Sequence, residues 1–455
     1  MRIQLPTHIT KLCRVLDEAG FQCYVVGGAL RDLLRGEKPD DWDITTDATP
    51  EEVEALFSHT IPTGREFGTI TVVFEGRPVE ITTMRQETGY SDHRHPDSVQ
   101  FTKDIRLDLS RRDFTVNAIA YNPITEKFID PFRGRFHLKR RLLASVGDAK
   151  ARFREDPLRM LRLIRFQGTL GFRVDKKTAH SIQPGLMRLV SAERIGQELA
   201  KLLLGNYLFP AFELFYTSDL LQEIIPELAA CKGVFQGGHH RFDVLGHSIM
   251  AAQHIPPELH LRWAAILHDV GKPVAARSTS GSSPFPGHAE LGAELAEQIL
   301  RRLRCSNQLI AKVTHLVRYH MYPMQPNMSD RAVRRMIAKI GQDHIFDVIA
   351  LRQADITAMY FNPVQAVQFL NGIRQRVQEV IAEDAPLTVA QLAVDGTDLM
   401  RSLQIEPGPI VGWILQELLD MVMDDPGRNN REELLTAAQQ LLELGQDQGS
   451  LPQTP

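Results

Sequence analysis

At 455 residues the chain is too long for a single hydrophobic core, and this length predicts two to four domains. Its 43% hydrophobic and 24% charged residues are the proportions of an ordinary water-soluble globular protein. The formal net charge of −4 gives no reason by itself to expect a nucleic-acid partner.

No apolar run approaches the length that spans a membrane, and the start, Met1-Arg2-Ile3-Gln4, lacks the apolar core of a signal peptide. The scattered cysteines form no Cys-x-x-Cys pair, which argues against a zinc ribbon or a disulfide framework. Such cysteines fit a reducing compartment, so we expect a cytoplasmic protein without a membrane partner.

Charge is distributed unevenly along the chain. Residues 133–173 contain twelve Lys or Arg against three acidic residues, whereas residues 379–455 contain fourteen acidic residues against three arginines. A local phosphate-binding surface is therefore compatible with the negative total, and the acidic C-terminal stretch is a poor candidate for it.

The first predicted elements are a helix over residues 7–19 and a buried strand over residues 23–26. Gly27 and Gly28 then turn the chain into a short helix that Gly36 can close. Because glycine has no side chain, a phosphate can approach the backbone N–H groups at the start of this helix.

Asp41 and Asp43 come next, in a segment with a predicted strand over residues 42–45, so both carboxylates project from one face. Paired carboxylates suit Mg²⁺, and two such ions can clamp the attacking and leaving oxygens of a displacement at phosphorus. A lone Asp-x-Asp is more often a solvated surface turn, but the preceding Gly-Gly turn and helix favour the metal site.

Thr49, followed by proline, predicts a helix start, and residues 69–74 and 79–84 predict a hairpin. On the second strand of this hairpin, Glu80 presents a third carboxylate to the two aspartates if the strand order permits; otherwise it is an exposed strand residue. Residues 85–96 show no periodicity, which predicts a mobile loop.

Arg111 and Arg112 open a predicted helix over residues 111–118. Adjacent arginines at the start of a helix suit a triphosphate, since guanidinium groups pair with phosphate oxygens.

A later helix is predicted over residues 153–166, with Asp156 and Arg159 sharing one of its edges. An acceptor beside several donors can imitate a Watson–Crick edge and so read a base. The spacing alone favours the simpler interpretation, an ordinary ion pair on a helix.

Histidines and aspartates recur among the apolar helices predicted after about residue 206: His247, His268, Asp269, His288, His320 and Asp355. They suit a transition metal, although a lone His-Asp pair is usually a cap or an ion pair. Residues 279–284 are predicted to form a flexible loop, residues from 388 onward are predicted to be helical, and those after 446 disordered.

The chain resembles the class II tRNA nucleotidyltransferases, which include the CCA-adding enzymes and bacterial poly(A) polymerases. The likeness covers nearly the whole chain and rests on an ordered set of motifs: Gly27-Gly28-x-x-Arg31-Asp32, Asp41-x-Asp43, Arg111-Arg112-Asp113 with Asn117, Asp130-Pro131-Phe132-Arg133-Gly134, Glu155-Asp156-x-x-Arg159 and Glu193-Arg194-Ile195. It implies an α+β fold with a small mixed-sheet nucleotidyltransferase head (residues 1–143) and an all-α neck (144–205), body (206–387) and tail (388–455).

The resemblance implies that the 3′-hydroxyl of tRNA attacks the α-phosphate of CTP or ATP and releases pyrophosphate. Asp41 and Asp43 would hold Mg²⁺, with Glu80 as a further catalytic residue, while Asp156 and Arg159 would select the base. The implied nucleotide-binding residues are Gly27, Gly28, Arg31, Asp32, Arg111, Arg112, Asp113, Asn117, Asp156, Arg159, Arg162 and Arg165.

The histidine and aspartate set resembles an HD-type phosphohydrolase domain. That likeness implies a site for Ni²⁺, Co²⁺ or Mn²⁺ held by His247, His268, Asp269 and Asp355, with His288 and His320 as supporting residues or as ligands of a second metal. A catalytic site and a purely structural one are both open.

Alternative functions also stay open. The enzyme could add only A or only CC, although the 85–96 loop disfavours CC alone, or it could be a poly(A) polymerase, which typically ends in a basic rather than an acidic tail. From a different class, the chain could be an HD phosphohydrolase or RNA-binding protein with an inactive head, against which the intact Asp41 and Asp43 pair speaks.

Overall fold

The computed structural model describes residues 3–39, 41–94, 96–236, 241–276, 285–359, 363–383 and 386–447. The chain divides into two compact units. The first unit comprises Met1–Lys232, Pro257–Leu259 and Ile299–Ser306, and the second unit comprises Gly233–Pro256, His260–Gln298 and Asn307–Pro455. The finer division into head, neck, body and tail stays a prediction.

The first unit mixes strands and helices. Its strands are β1 (Cys23–Val26), β2 (Asp43–Thr46), β3 (Thr60–Gly64), β4 (Thr69–Phe74), β5 (Arg77–Thr83), β6 (Arg85–Thr88), β7 (Ser98–Phe101), β8 (Ala120–Asn122), β9 (Lys127–Ile129), β10 (Leu142–Leu143) and β11 (Arg173–Val174). Its helices are α1 (Thr7–Glu18), α2 (Gly27–Leu34), α3 (Pro50–Leu56), α4 (Ile105–Ser110), α5 (Gly134–Lys139), α6 (Ala149–Glu155), α7 (Leu158–Leu170), α8 (Lys176–His180), α9 (Ala192–Leu203), α10 (Leu208–Thr217), α11 (Leu220–Ile224) and α12 (Pro226–Ala229).

Seven strands form one mixed sheet in the order β3-β4-β5-β2-β1-β8-β9. Only β2 and β5 run parallel; the other neighbours in this sheet are antiparallel. The core joins Leu12 and Leu16 of α1 to Val25, Ile44 and Ile81 of the three central strands, all at most 1% exposed. This buried sheet fixes the strand ends from which the site described below is built.

Several predicted elements are confirmed. The helix of residues 7–19, the strand of residues 23–26 and the helix after Gly27 appear as α1, β1 and α2, and Gly36 follows α2 with a φ of +83°. Thr49 caps α3 in a reciprocal capping box with Glu52, and β4 and β5 form the expected hairpin.

The prediction of a loop over residues 85–96 is wrong for its first part, because β6 pairs with β7 in a two-stranded antiparallel sheet. The strand went unrecognised because its side chains are charged and pair with one another. Arg85 Nε lies 2.7 Å from a carboxylate oxygen of Glu87, and Arg111 Nη1 lies 3.1 Å from the same oxygen.

The prediction of a helix over residues 111–118 is also wrong. Helix α4 ends at Ser110, and the chain then runs extended because it pairs with a distant segment. The N–H of Thr115 donates to the carbonyl of Ala144, and the N–H of Val146 donates to the carbonyl of Asp113. Only residues 115–117 form a short 3-10 turn.

The single helix predicted over residues 153–166 is two helices, α6 and α7. Asp156 is extended, with φ −138° and ψ 99°, because the residue before a proline avoids the helical region. The predicted apolar face continues across this break, because all four of its residues are buried: Phe153, Pro157, Leu161 and Ile164.

The second unit is helical in every described element. Its helices are α13 (Val244–His254), α14 (Leu259–Leu267), α15 (Lys272–Ala276), α16 (His288–Arg302), α17 (Asn307–Tyr319), α18 (Asp330–Ile340), α19 (Ile345–Met359), α20 (Val364–Ala382), α21 (Gly396–Leu403), α22 (Pro409–Asp424) and α23 (Arg431–Asp447). The first residue of α14 and the last four of α16 are counted with the first unit.

The predicted helical character from residue 388 onward is confirmed, because α21, α22 and α23 share a core around Leu399, Ile414 and Leu434. The predicted loop 279–284 and the residues after Asp447 lie outside the described part of the chain. No helix among the described residues is both long enough and apolar enough to cross a membrane. The chain therefore has the predicted α+β organisation, with a mixed sheet near its start and helices after it.

Candidate active site

Three carboxylates meet beside the first residue of β2, next to the end of β1 and the middle of β5. Asp43 is the first residue of β2, and it pairs with Val26 of β1 on one side and with Glu80 of β5 on the other. Asp41 precedes the strand, and all three carboxylates line one cavity of about 480 Å³. The strand order therefore meets the condition under which Glu80 joins the two aspartates.

The environment of Asp43 and Glu80 disfavours the negative charge of these two carboxylates. Burial raises the pKa of Asp43, and the charge of Asp41 adds to this effect, although Arg112, Arg31 and the N–H of Gly28 oppose it. Burial also raises the pKa of Glu80, as do the charges of Asp43 and Asp41. Such crowded oxygen ligands would be relieved by a bound cation, so this donor set fits Mg²⁺.

The Gly-Gly turn packs directly against Asp43. Gly27 has a φ of +71°, and a Cβ built on it would lie 2.6 Å from Asp43 Oδ2 and 3.3 Å from Arg112 Nη1. The N–H of Gly28 donates to the carboxylate of Asp43. The phosphate-binding role predicted for this N–H stays a prediction, and the same N–H also acts on Asp43, the candidate metal ligand.

A second cavity of about 510 Å³ lies against the first and shares Gly28, Arg31 and Asp43 with it. Eight cationic side chains line it: Arg31, Arg111, Arg112, Arg159, Arg162, Arg165, Arg194 and Lys201. A polyanion such as a triphosphate could therefore reach Asp43 from the basic side while another substrate occupies the acidic cavity.

Buried carboxylates hold several of these arginines in place. The Asp113 carboxylate accepts from Arg162 Nε at 3.0 Å and Nη2 at 2.7 Å, and from Asn117 Nδ2 at 3.0 Å. Burial alone would raise the pKa of Asp113, but Arg162 and these hydrogen bonds hold it far below its usual value. Asn117 in turn accepts from Arg31 Nη1 at 2.8 Å, so Asp113 orients groups that face the cavity.

Asp108 does the same for the two adjacent arginines. It is fully buried, and its oxygens lie 2.8 Å from Arg111 Nη2 and 3.4 Å from Arg112 Nη2. Its carboxyl pKa is lowered, because the two arginine charges outweigh the effect of burial. Asp32 pairs with Arg31 at 2.6 Å, so it too acts on this cavity through an arginine.

Asp156 and Arg159 both line the basic cavity, but each has another partner. Arg159 Nη1 lies 2.8 Å from Glu155 Oε2, and Asp156 Oδ2 lies 2.9 Å from Arg194 Nη2. Sequence reasoning noted the motif around Arg194 without assigning it to the site, and it missed Lys201. Nothing local could have revealed Arg194, which is 38 residues from its partner.

A second cluster of chemically active side chains lies in the second unit. His247, His268 and Asp355 form one buried trio, in which His247 Nε2 lies 2.9 Å from Asp355 Oδ1 and 3.3 Å from His268 Nε2. These residues come from α13, the end of α14 and α19. One potential ligand atom from each lies within 4.8 Å of the others.

Asp269, His288 and His320 form an adjacent trio. The Nε2 atoms of His288 and His320 lie 3.6 and 3.7 Å from Asp269 Oδ1, while Asp269 Oδ2 lies 3.2 Å from His268 Nε2. Burial raises the pKa of Asp269, but His268, His320 and Lys272 more than reverse this and hold it well below its usual value.

The histidine rings are oriented for binding a metal. In His268, His288 and His320 the Nδ1 atom hydrogen-bonds the backbone carbonyl three residues earlier, at 2.6 to 2.9 Å. This bond assigns the proton to Nδ1 and leaves the Nε2 lone pair facing the cluster. The donor set therefore fits one or two transition-metal ions.

Three family profiles match consecutive parts of the chain. One described as "Poly A polymerase head domain" matches residues 23–144, one described as "Probable RNA and SrmB- binding site of polymerase A" matches residues 171–232, and one described as "tRNA nucleotidyltransferase domain 2 putative" matches residues 288–438.

Individual proteins match over most of the chain. It is 47% identical over 423 residues to a CCA-adding enzyme of Lactobacillus delbrueckii subsp. bulgaricus, covering 91% of this chain and 93% of that one. It is 31% identical to a CCA-adding enzyme of Limosilactobacillus reuteri, covering 94% and 95%. The crystal structure of Bacillus stearothermophilus CCA-adding enzyme in complex with CTP superimposes with a TM-score of 0.73 at 27% identity, covering 98% of this chain and 100% of that one.

Proposed function

The chain belongs to the CCA-adding enzymes and is a tRNA nucleotidyltransferase, and on that premise we propose that it builds the 3′-terminal CCA of tRNA from CTP and ATP. The observation that carries this proposal is the meeting of two cavities at Asp43, one lined by carboxylates and one by arginines. The 3′-hydroxyl of the tRNA enters the acidic cavity, the nucleotide enters the basic one, and pyrophosphate leaves.

Asp41 and Asp43 would hold Mg²⁺ in this reaction, with Glu80 as a third oxygen donor beside them. When bound, two such ions supply a lowered pKa for the attacking hydroxyl and neutralise charge on the triphosphate. Gly27 keeps the turn close to Asp43, and Gly28 fixes the direction of its carboxylate, so the chain positions the metal ligands before substrate binds.

The arginine side of the site binds and orients the nucleotide. Arg111 and Arg112, held from behind by Asp108, face the phosphates, and Arg162, held by Asp113, keeps its guanidinium in the cavity wall. Asp156 and Arg159 select the base, each oriented by its partner, Arg194 or Glu155. Hydrogen bonds to a base edge are lost when the wrong base binds, which gives selection without an RNA template.

The experiment that tests this function uses tRNAs that end at the discriminator base, at C and at CC, each incubated with CTP or ATP separately. We expect CTP to be added to the first two and ATP to the third, as read by sequencing the products. An enzyme that adds only CC or only A, or that continues a run of A as a poly(A) polymerase would, overturns the proposal of complete CCA addition.

We also propose that the protein acts in the cytoplasm. Its four cysteines, all of which the structure describes, form no disulfide, and this pattern suits a reducing compartment.

A second function is favoured by the His/Asp cluster of the second unit. Two trios of potential ligands, five of them buried, are more than one structural ion needs: His247, His268 and Asp355 beside Asp269, His288 and His320. The proposed activity is hydrolysis of a phosphomonoester or a 2′,3′-cyclic phosphate with Ni²⁺, Co²⁺ or Mn²⁺, whose chemistry when bound is to activate water. The enzyme could then trim damaged tRNA ends before rebuilding them.

The double variant His268→Ala/Asp269→Ala tests this second function. We expect it to lose bound metal and phosphohydrolase activity and to keep CCA addition. The matched control is His260→Ala/Asp347→Ala, which removes a His–Asp pair of the same unit at 2.9 Å that belongs to neither trio. If the wild-type protein hydrolyses neither substrate with any of the three metals, the hydrolytic function is wrong; loss of metal with lowered thermal stability alone would indicate a structural ion.

A further inference from the structure

A third cavity of the first unit, which we call the outer pocket, has a volume of about 690 Å³ and shares no lining residue with the two cavities at Asp43. Its wall includes the C-terminal end of α2, whose N-terminal end carries Gly27. Because a helix rises 1.5 Å per residue, the outer pocket lies roughly 10 Å along α2 from the turn at Gly27.

The outer pocket joins apolar surface to exposed aromatic rings. Leu34, Leu138 and Phe172 contribute to its apolar lining, while Phe136 and Tyr207 are 44% and 46% exposed. The Phe136 ring has the guanidinium carbons of Arg133 and Arg140 at 4.7 and 5.3 Å from its centroid, and the Tyr207 ring lies against Gly171. The pocket therefore offers a flat partner the exposed part of two rings that are held in place by their neighbours.

Cationic side chains surround the same cavity. Arg35 is neutralised by Asp32 and Glu37, but Arg135, Lys139 and Arg141 form no ion pair with any carboxylate in the described ranges. Arg135 and Lys139 are four residues apart on α5 and so lie on one face, roughly 6 Å from each other along the axis. Spaced cations suit successive phosphates of a polymer better than the single phosphate group of a small molecule.

We propose that the outer pocket binds an unpaired nucleotide of the substrate RNA. The base stacks on Phe136 and Tyr207, and the neighbouring backbone phosphates pair with Arg135, Lys139 and Arg141. Arg135 lies over the Phe128 ring at 4.1 Å from its centroid, which leaves its charge without a carboxylate partner in the described ranges. Aromatic side chains flanked by such cations are how proteins hold single-stranded nucleic acid, since every base offers a flat face and every nucleotide a charge. This proposal rests on the proposed function, because it takes the RNA whose 3′ end lies at Asp43 as the occupant.

The test measures tRNA binding over a range of salt concentrations with the full-length protein. For Arg135→Glu/Lys139→Glu we expect affinity at least tenfold weaker and a shallower dependence of log K on log salt by about two units or more, because phosphate contacts release counterions. The control Lys103→Glu/Lys150→Glu makes the same charge change on exposed lysines of the first unit outside the pocket. It should change both quantities much less.

The aromatic contact is tested separately. Phe136→Ala should weaken tRNA binding about tenfold with the salt dependence unchanged, whereas Phe136→Tyr, which keeps the ring, should bind like wild type. The KM for tRNA should rise while the KM for CTP stays the same, because the outer pocket does not touch the nucleotide cavity. Unchanged melting temperatures would separate these effects from misfolding.

Three outcomes overturn the proposal, and a fourth overturns the function on which it rests. Wild-type-like tRNA affinity in both variants would show that RNA does not occupy the pocket. If the wild type binds AMP in the absence of tRNA and the variants do not, the occupant is a free nucleotide. A change of molecular mass in light scattering, with RNA affinity unchanged, would identify a contact between two copies of the chain. Failure of the wild type itself to bind tRNA would instead refute the proposed function.

Discussion

The two polar clusters of this protein differ in how their charges meet the solvent. The active site of the first unit places Asp41, Asp43 and Glu80 along one open cavity, with a second, basic cavity beside them. The His/Asp cluster of the second unit is closed, since five of its six residues are at most 4% exposed. One site is arranged for a large, charged substrate to enter, and the other for a small ion to be retained.

The clusters also differ in how their residues are ordered before anything binds. In the candidate active site the arginines are fixed by buried carboxylates such as Asp108 and Asp113, the second of which also lines the basic cavity. In the His/Asp cluster the ligands contact one another, and Lys272 Nζ lies 2.6 Å from Asp269 Oδ2, where a cation would otherwise lie. The first site is therefore organised without its substrate, whereas in the second an ion bound at Asp269 Oδ2 would have to displace Lys272.

The largest effect is expected from removing the Asp43 carboxylate, which lines both open cavities. Asp43→Ala should slow nucleotide addition by roughly 10³-fold or more and leave tRNA affinity nearly intact, because in the proposed mechanism this carboxylate would hold metal rather than RNA. Single-turnover incorporation of CTP measures the rate, and Glu66→Ala, an exposed acid of the same unit, is the control. Near-normal incorporation by Asp43→Ala would remove this residue from the mechanism.

Asp113→Ala probes whether the arginine side depends on a buried carboxylate. Leaving Arg162 with only Glu198, whose oxygen lies 3.6 Å from Arg162 Nη1, should lower the free energy of unfolding by about 3 kcal/mol, measured by urea denaturation at pH 7. The pKa of Asp113 is lowered in the folded state, so its stabilisation is full above the unfolded value near 3.9 and is lost as pH falls. The difference in free energy of unfolding between variant and wild type should therefore shrink as the pH falls from about 5 to 3. A constant difference would mean that the charge of Asp113 does not stabilise the fold.

Metal addition tests the closed cluster. A Ni²⁺ concentration about 100 times its Kd should stabilise the folded protein by about 2.7 kcal/mol and raise the melting temperature of the second unit by roughly 5 to 10 °C. Chelation should reverse the shift, and His268→Ala/Asp269→Ala should abolish it. An equal shift in that variant would place the binding ion elsewhere.

The smallest expected effect concerns base selection. Arg159→Ala should reduce the preference for CTP and ATP over GTP and UTP by about tenfold, since one bidentate contact to a base edge is worth about 1–3 kcal/mol. Competition between the four nucleotides on one tRNA substrate gives this ratio. Lower stability with unchanged preference would instead indicate that Arg159 only pairs with Glu155.

Sequence reasoning succeeded where chemistry is local. The Gly-Gly turn, the Asp-x-Asp pair and the capped helix after Thr49 all depend on residues within four positions of one another. The involvement of Glu80 could be stated only as a condition, because strand order is set by the packing of the whole sheet.

The errors arose where distant segments decide the conformation. The residues after Arg111 have a helical pattern, but backbone pairing with residues 144–146 keeps them extended. Asp156 and Arg159 stand at the spacing of a helix pair, yet Pro157 separates two helices there, and Arg194 competes for the carboxylate. Periodicity describes a segment in isolation, whereas these outcomes depend on partners tens of residues away.

The division of the chain into units has a consequence for building chimaeras between relatives. The first unit is not one continuous stretch, because it includes Ile299–Ser306 in addition to Met1–Lys232. That returning piece completes its packing: Arg302 forms two hydrogen bonds of 2.7 Å with Glu227, and a Cβ on Gly196 would meet the carbonyl of Leu303 at 2.4 Å. A single crossover after residue 232 would therefore combine residues 1–232 of one parent with residues 299–306 of the other. An exchange of first units should carry residues 299–306 with it.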